Sequence, residues 1–202
     1  QLKILRQHGI QYVPDLKTAV LTPLFRGRPV IKEDPTDQET EKIKKLCPSD
    51  AIVTDGGFGI DIGKCVFCKE CALAYPDKIE FTNDYKISSN DRNCLIVRKG
   101  DTEIRFNDTK VRLEVRKLFK NALKLRQVSA GGDNSCEFEL NAAGNVNFDM
   151  GRYGIEFVAS PRHADGIVIT GPITENMSEA LQICWDATPG PKVLMLVVTD
   201  AI

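Results

Sequence analysis

The sequence has little net charge, few histidines and no long apolar run. Its 27 lysines and arginines face 28 aspartates and glutamates, a formal net charge of −1. That balance gives no signal for nucleic acid or an anionic membrane surface. The longest apolar run is VLMLVV at 193–198, far short of the roughly 18 residues a spanning helix needs, and it reads as a buried strand. The opening QLKILRQHGI lacks the apolar core of a secretion signal. There is no G-x-G-x-x-G, no Ser/His/Asp constellation and only two histidines, which weighs against a stand-alone small oxidoreductase. Cysteine, by contrast, is abundant. The seven are Cys47, Cys65, Cys68, Cys71, Cys94, Cys136 and Cys184. An odd, clustered set without a secretion signal points to metal or cluster ligation in a reducing compartment rather than to a disulfide framework.

The densest cluster is KCVFCKECALAYP at 64–76, where Cys65, Cys68 and Cys71 stand at C-x2-C-x2-C. The two-cluster ferredoxin pattern continues x3-C-P, but Tyr75 precedes Pro76 here. In such proteins the cysteine before proline ligates the other cluster. The fourth ligand is therefore sought elsewhere, and LCPSDAIV supplies it as Cys47-Pro48. Counting back from Cys47 by the same spacing gives Ile43, Thr40 and Asp37, none of them a ligand thiol. The missing thiols, Tyr75 included, all belong to one cluster, and the four ligands of the other survive. The reading is one [4Fe–4S] cluster on Cys47, Cys65, Cys68 and Cys71, because cluster irons are soft acceptors that favour thiolate sulfur. A structural zinc site on the same four cysteines is the rival. With FRGRPVI at 25–31 upstream of the Cys-Pro, this half resembles the iron–sulfur subunits of formate hydrogenlyase and complex I, which hold two clusters.

Around these motifs, prolines 14, 23, 29 and 35 mark residues 1–35 as an extended arm. Residues 36–46 read as a helix capped by Thr36, with acids early and lysines late. Short strands follow at 51–53 and 78–82, and LIVRK and TEIRF suit a hairpin turning at KGD. An apolar stripe from Val111 to Leu125, with lysines and arginines on the other face, predicts a helix over 109–125 that links two domains. Beyond it, strands at 126–130, 155–160, 165–172 and 192–200 alternate with helices at 136–143 and 174–187, the second capped by Thr174. Apolar strands separated by helices imply a parallel sheet. The expected organisation is an arm (1–35), an α+β ferredoxin-like single-cluster module (36–108), a linking helix (109–125) and an α/β domain (126–202).

The stretches SAGGDNSCEFELNA (129–142) and DMGRYGIEFVASPRHADGIVITGPITENMSEALQICWDATPGPK (149–192) resemble the small subunit of membrane-bound, energy-converting [NiFe] hydrogenases, related to the 20 kDa subunit of complex I. The resemblance implies a flavodoxin-like fold continuing beyond Ile202, a proximal [4Fe–4S] cluster and docking to a large catalytic subunit. Its ligand pattern is broken here. The first cysteine of the family's C-x-x-C is Asp133, the second is Cys136, and the third falls at Asp200 or Ala201. Either the cluster is lost and the domain is a docking scaffold, or Asp133, Cys136 and Asp200 form a degenerate second site. Carboxylates match cluster iron poorly, which favours loss. Glu137 and Glu139 complement a helix N-terminus or lie near the large-subunit interface, and His163, Arg152 and Arg162 serve the fold or that interface. Cys94 and Cys184 read as packing residues.

Together these readings predict a non-catalytic electron-transfer subunit of a hydrogenase-like or complex-I-like assembly. It would relay electrons through one cluster and dock a large subunit, in company with other iron–sulfur and membrane subunits. It would be cytoplasmic, reaching the inner membrane's cytoplasmic face through partners without inserting into it. The alternative is a structural or assembly subunit.

Overall fold

A computed structural model describes residues 3, 4, 6, 9, 12–107, 109 and 113–197. The chain divides into two compact units, Val20–Val111 and a second made of Gln1–Ala19 with Arg112–Ile202.

The first unit is built from short strands and two helices. Strand β1 (Pro29–Ile31) pairs antiparallel with β4 (Ile79–Phe81), and β2 (Ile52–Val53), β3 (Gly59–Asp61) and β5 (Ile96–Arg98) form an antiparallel sheet with β3 central. Residues 29–31 of the expected arm are thus sheet. Helix α1 (Asp37–Leu46) starts at a reciprocal cap: the Glu39 N–H donates to Thr36 Oγ1, and the Thr36 N–H donates to Glu39 Oε2 at 2.7 Å. Asp37 and Glu39 occupy its first turn and Lys44 and Lys45 its last, which complements the helix dipole. Its inward face, Thr40 and the fully buried Ile43, packs in a core with Ile31, Phe58, Ile60, Ala72, Ile79 and Phe81. Helix α2 (Glu70–Ala74) closes this core through Ala72. The FRGR segment is shaped by backbone proximity. A Cβ on Gly27 would lie 2.0 Å from the Asp84 carbonyl oxygen, so only glycine fits, while buried Arg28 pairs with Asp84 at 3.1 Å.

In the second unit the expected parallel sheet is present. Its order is β7 (Ile155–Phe157), β6 (Leu123–Ser129), β8 (Gly166–Thr170), β9 (Val193–Val197), all parallel. Every residue of β8 is buried. Helix α5 (Glu175–Ala187) covers Val128, Ala130, Ile167 and Ile169 with Met177, Leu181, Cys184 and Trp185, so Cys184 does pack as a core residue.

Four local expectations change. TEIRF is not a strand, and β5 pairs with β3 rather than with it: the Arg98 N–H donates to Asp101 Oδ2 at 2.8 Å, making a turn without a returning strand. The long helix is helix α3 (Leu113–Phe119) alone among the described residues. Lys120 adopts a left-handed φ of 49°, and Leu123–Leu125 go to β6 instead. Thr174 precedes α5, but its hydroxyl donates to the Ala130 carbonyl at 3.0 Å rather than capping the helix. Strand β9 pairs only with β8 among the described residues, leaving Leu194 and Leu196 exposed.

Candidate functional site

Cys47, Cys65, Cys68 and Cys71 come from two segments, the end of α1 and the stretch that leads into α2. Cys47 terminates α1, with its N–H still bonded to the Ile43 and Lys44 carbonyls at 3.1 and 3.2 Å, and Pro48 prevents another helical turn. The loop at 64–69 starts where the Lys64 and Cys65 N–H groups bond the Asp61 carbonyl. Its tight C-x2-C-x2-C path requires left-handed backbone at Phe67 (φ 52°) and Lys69 (φ 75°). Cys71 then lies in the first turn of α2, and its carbonyl accepts the Tyr75 N–H at 3.0 Å.

Backbone N–H groups aim at the sulfurs. Ala51 donates to Cys47 Sγ at 3.3 Å and Phe67 to Cys65 Sγ at 3.4 Å, and the Ala72 N–H bonds Cys71. Burial pushes the Cys71 thiol up to about 11, and negative charge on Cys65, Cys68 and Cys47 pushes the same way. Cys65 is raised by burial too, opposed by the Phe67 N–H and reinforced by Cys47, Cys68 and Asp61. Cys71 thus lies within electrostatic reach of the other three sulfurs, and Cys65 within reach of Cys47 and Cys68. Among the described residues no group of three His, Cys, Asp or Glu side chains is placed to hold a metal ion. Four thiols with backbone N–H groups directed at sulfur are the soft donor set that a [4Fe–4S] cluster takes.

Three side chains that sequence reasoning did not single out brace this loop. Arg26 Nη1 donates to the Phe67 and Cys68 carbonyls, each at 3.1 Å. Asp61, buried in β3, accepts the Gly63 N–H at 2.9 Å and forms a two-pronged pair with Arg92, at 2.7 and 2.5 Å. Burial alone would raise the Asp61 carboxyl, but the Arg92 guanidinium outweighs it and holds the group below its ordinary value. Only Arg26 left a sequence signal, through its place in FRGRPVI.

The positions of the missing second ligand set carry ordinary structural residues. Asp37 opens α1, Thr40 and Ile43 are buried beneath it, and Tyr75 packs against the same core. Cys94 lies half-buried in the 3-10 turn Arg92–Leu95.

In the second unit, Gly131 and Gly132 follow β6 and Gly171 follows β8. Gly171 has φ 74°, and a Cβ there would meet the Gly132 Cα at 2.4 Å, so the two turns touch backbone to backbone. They border a cavity of about 290 Å³ lined also by Asp133, Ser135, Cys136, Glu137 and Pro172. It lies at the carboxyl ends of β6 and β8, beside the start of helix α4 (Ser135–Ala143). Asp133 and Cys136 therefore share one cavity, whereas Asp200 lies outside the described residues. Asp133 works as a turn former: its Oδ1 accepts the Ser135 N–H at 3.0 Å and the Ser135 hydroxyl at 2.6 Å, which holds its carboxyl below the usual range. Glu137 accepts the Thr170 hydroxyl at 2.6 Å and a second hydrogen bond from Ser129, so its carboxyl too is lowered. Glu139, Arg162 and His163 are exposed. Arg152 serves the fold, donating to the Val13 and Pro14 carbonyls at 2.6 and 3.1 Å.

Residues 134–201 match the model of the NADH ubiquinone oxidoreductase 20 kDa subunit family. That match covers about the C-terminal third of the chain. The chain is 37% identical over 70 residues to the probable membrane-bound hydrogenase subunit mbhJ of Pyrococcus furiosus, covering 35% of this chain and 42% of that one. It is 39% identical over 77 residues to formate hydrogenlyase subunit 7 of Escherichia coli (38% and 30% covered). It is 43% identical over 58 residues to an NADH-quinone oxidoreductase subunit of Clostridium beijerinckii (28% and 34% covered). The matches span less than half the length of each of these relatives. The resemblance of the second unit to hydrogenase and complex I subunits therefore holds. No helix among the described residues is long and apolar enough to cross a membrane.

Proposed function

We propose that this chain is an electron-transfer subunit of a multisubunit oxidoreductase of the hydrogenase or complex I kind. Its first unit is a ferredoxin-like module holding one [4Fe–4S] cluster on Cys47, Cys65, Cys68 and Cys71. Its second is a flavodoxin-like domain that docks a large subunit. The observation that carries this reading is the convergence of four thiols from two distant segments, with backbone N–H groups directed at their sulfurs. When bound, such a cluster accepts and releases one electron at a time. The chain supplies four thiolates, N–H dipoles that stabilise negative charge on sulfur, and an apolar wall from Phe67, Tyr75 and Ala72 that limits water. The buried side chains at 40 and 43 support a single cluster in this unit. The relatives' names support membership in a multisubunit, membrane-bound assembly, and the chain reaches the cytoplasmic face of the membrane through its partners.

A scaffold reading of the second unit is favoured by Asp133, whose carboxylate is committed to Ser135 where the family has a thiol. The test is EPR of the anaerobically reconstituted chain before and after dithionite. The electron-transfer reading expects a signal from a reduced cubane in about one copy per chain. A chain that binds zinc instead, or shows no reducible signal, contradicts it.

A further inference from the structure

We infer that Arg26 is a positioning residue of the cysteine loop, clamping the Phe67–Cys68 turn and placing a fixed positive charge beside the sulfur site. This rests on the electron-transfer reading for the charge and on geometry alone for the clamp. One guanidinium nitrogen, Nη1, spans the carbonyls of two successive residues at 3.1 Å each. Those residues lie in strained backbone, with left-handed Phe67 and Lys69 on either side of Cys68. Non-glycine residues rarely hold that conformation unless neighbours fix it. The Phe67 N–H meanwhile donates to Cys65 Sγ, so the peptide units around Phe67 face a sulfur on one side and Arg26 on the other. Arg26 itself is anchored: the next residue, Gly27, bonds the Thr82 carbonyl at 2.7 Å in a spot no side chain could enter.

Two consequences follow. Without the clamp the loop opens more often, exposing Cys68. Without the charge, adding one electron to a four-thiolate cluster, which takes its total charge from about −2 to −3, becomes less favourable. No bond forms or breaks in that step, and the electron comes from a one-electron reductant such as dithionite.

The test compares the full chain with Arg26→Gln and Arg26→Lys in two measurements. In the metal-free chain, iodoacetamide alkylation of Cys68, read by peptide mass spectrometry, should be about tenfold faster in both variants, the factor for one lost charge-assisted hydrogen bond. In the reconstituted chain, EPR-monitored titration should show the reduction constant falling about tenfold in R26Q, about 59 mV for one electron, with R26K near the parent value. An R26Q chain that matches the parent in both measurements overturns the inference. A parent chain with no reducible cluster overturns the electron-transfer reading and the charge role, and the alkylation ratio then decides the clamp by itself.

Discussion

Cys68 lies just before a helix and Cys136 in the first turn of one, yet their surroundings differ. Cys68 has three companion thiols, two of them, Cys65 and Cys71, raised by burial and by neighbouring sulfur charge, and N–H groups directed at sulfur. Cys136 has Asp133 and Glu137, both held ionised by hydroxyl and backbone donors, in a cavity open to solvent. The first set is soft and mutually repelling until a cation complex binds. The second is hard and already satisfied by the protein. Beside Asp133 and Cys136 the backbone itself is tightly fixed, by the contact of Gly132 with Gly171.

The sharpest break in this comparison comes from the thiols. Cys47→Ser or Cys68→Ser should remove nearly all reconstituted iron and the reducible EPR signal, while the matching Cys136→Ser should leave both unchanged. Iron lost with Cys136 would show that the second unit holds metal. Next in size is Ile43→Ala. Ile43 is fully buried where a second cluster's ligand would stand, so the change should lower stability by about 2–5 kcal/mol in urea unfolding of the metal-free chain. A loss below about 1 kcal/mol would mean that the position is not a true core site.

Asp61→Asn should have a smaller effect, about 1–3 kcal/mol, because Arg92 is 53% exposed and its charge is partly screened. The sign of its pH dependence is fixed by the lowered folded value of Asp61. The pair stabilises the fold fully above the ordinary carboxylate pKa of about 4, and that contribution fades as pH falls through the lower folded value. Stability of the metal-free parent measured from about pH 6 downward should therefore converge with that of D61N in acid. Parallel curves would contradict the pair's role.

Much of the fold was legible because it is local. Thr36 and Glu39 announce α1 within four residues, and the alternation of apolar strands with helices announces the parallel sheet. The proposed ligand set rests on a sequence argument, in which cross-ligation ties Cys47 to a motif whose fourth thiol is missing. What the sequence hid is non-local. LIVRK looks like half of a hairpin, but its partner is β3, more than thirty residues upstream. Leu123 and Leu125 continue a helical stripe in one dimension, yet they are claimed by pairing with Ile155 and Phe157. Arg26 is separated from the carbonyls it holds by 41 and 42 residues, and no spacing rule connects them.

The central claim, one cubic cluster on four cysteines, is tested most directly by counting iron and acid-labile sulfide per chain after anaerobic reconstitution. The account predicts about four of each, falling to near zero in Cys47→Ser. About eight of each, or one zinc without sulfide, would contradict it.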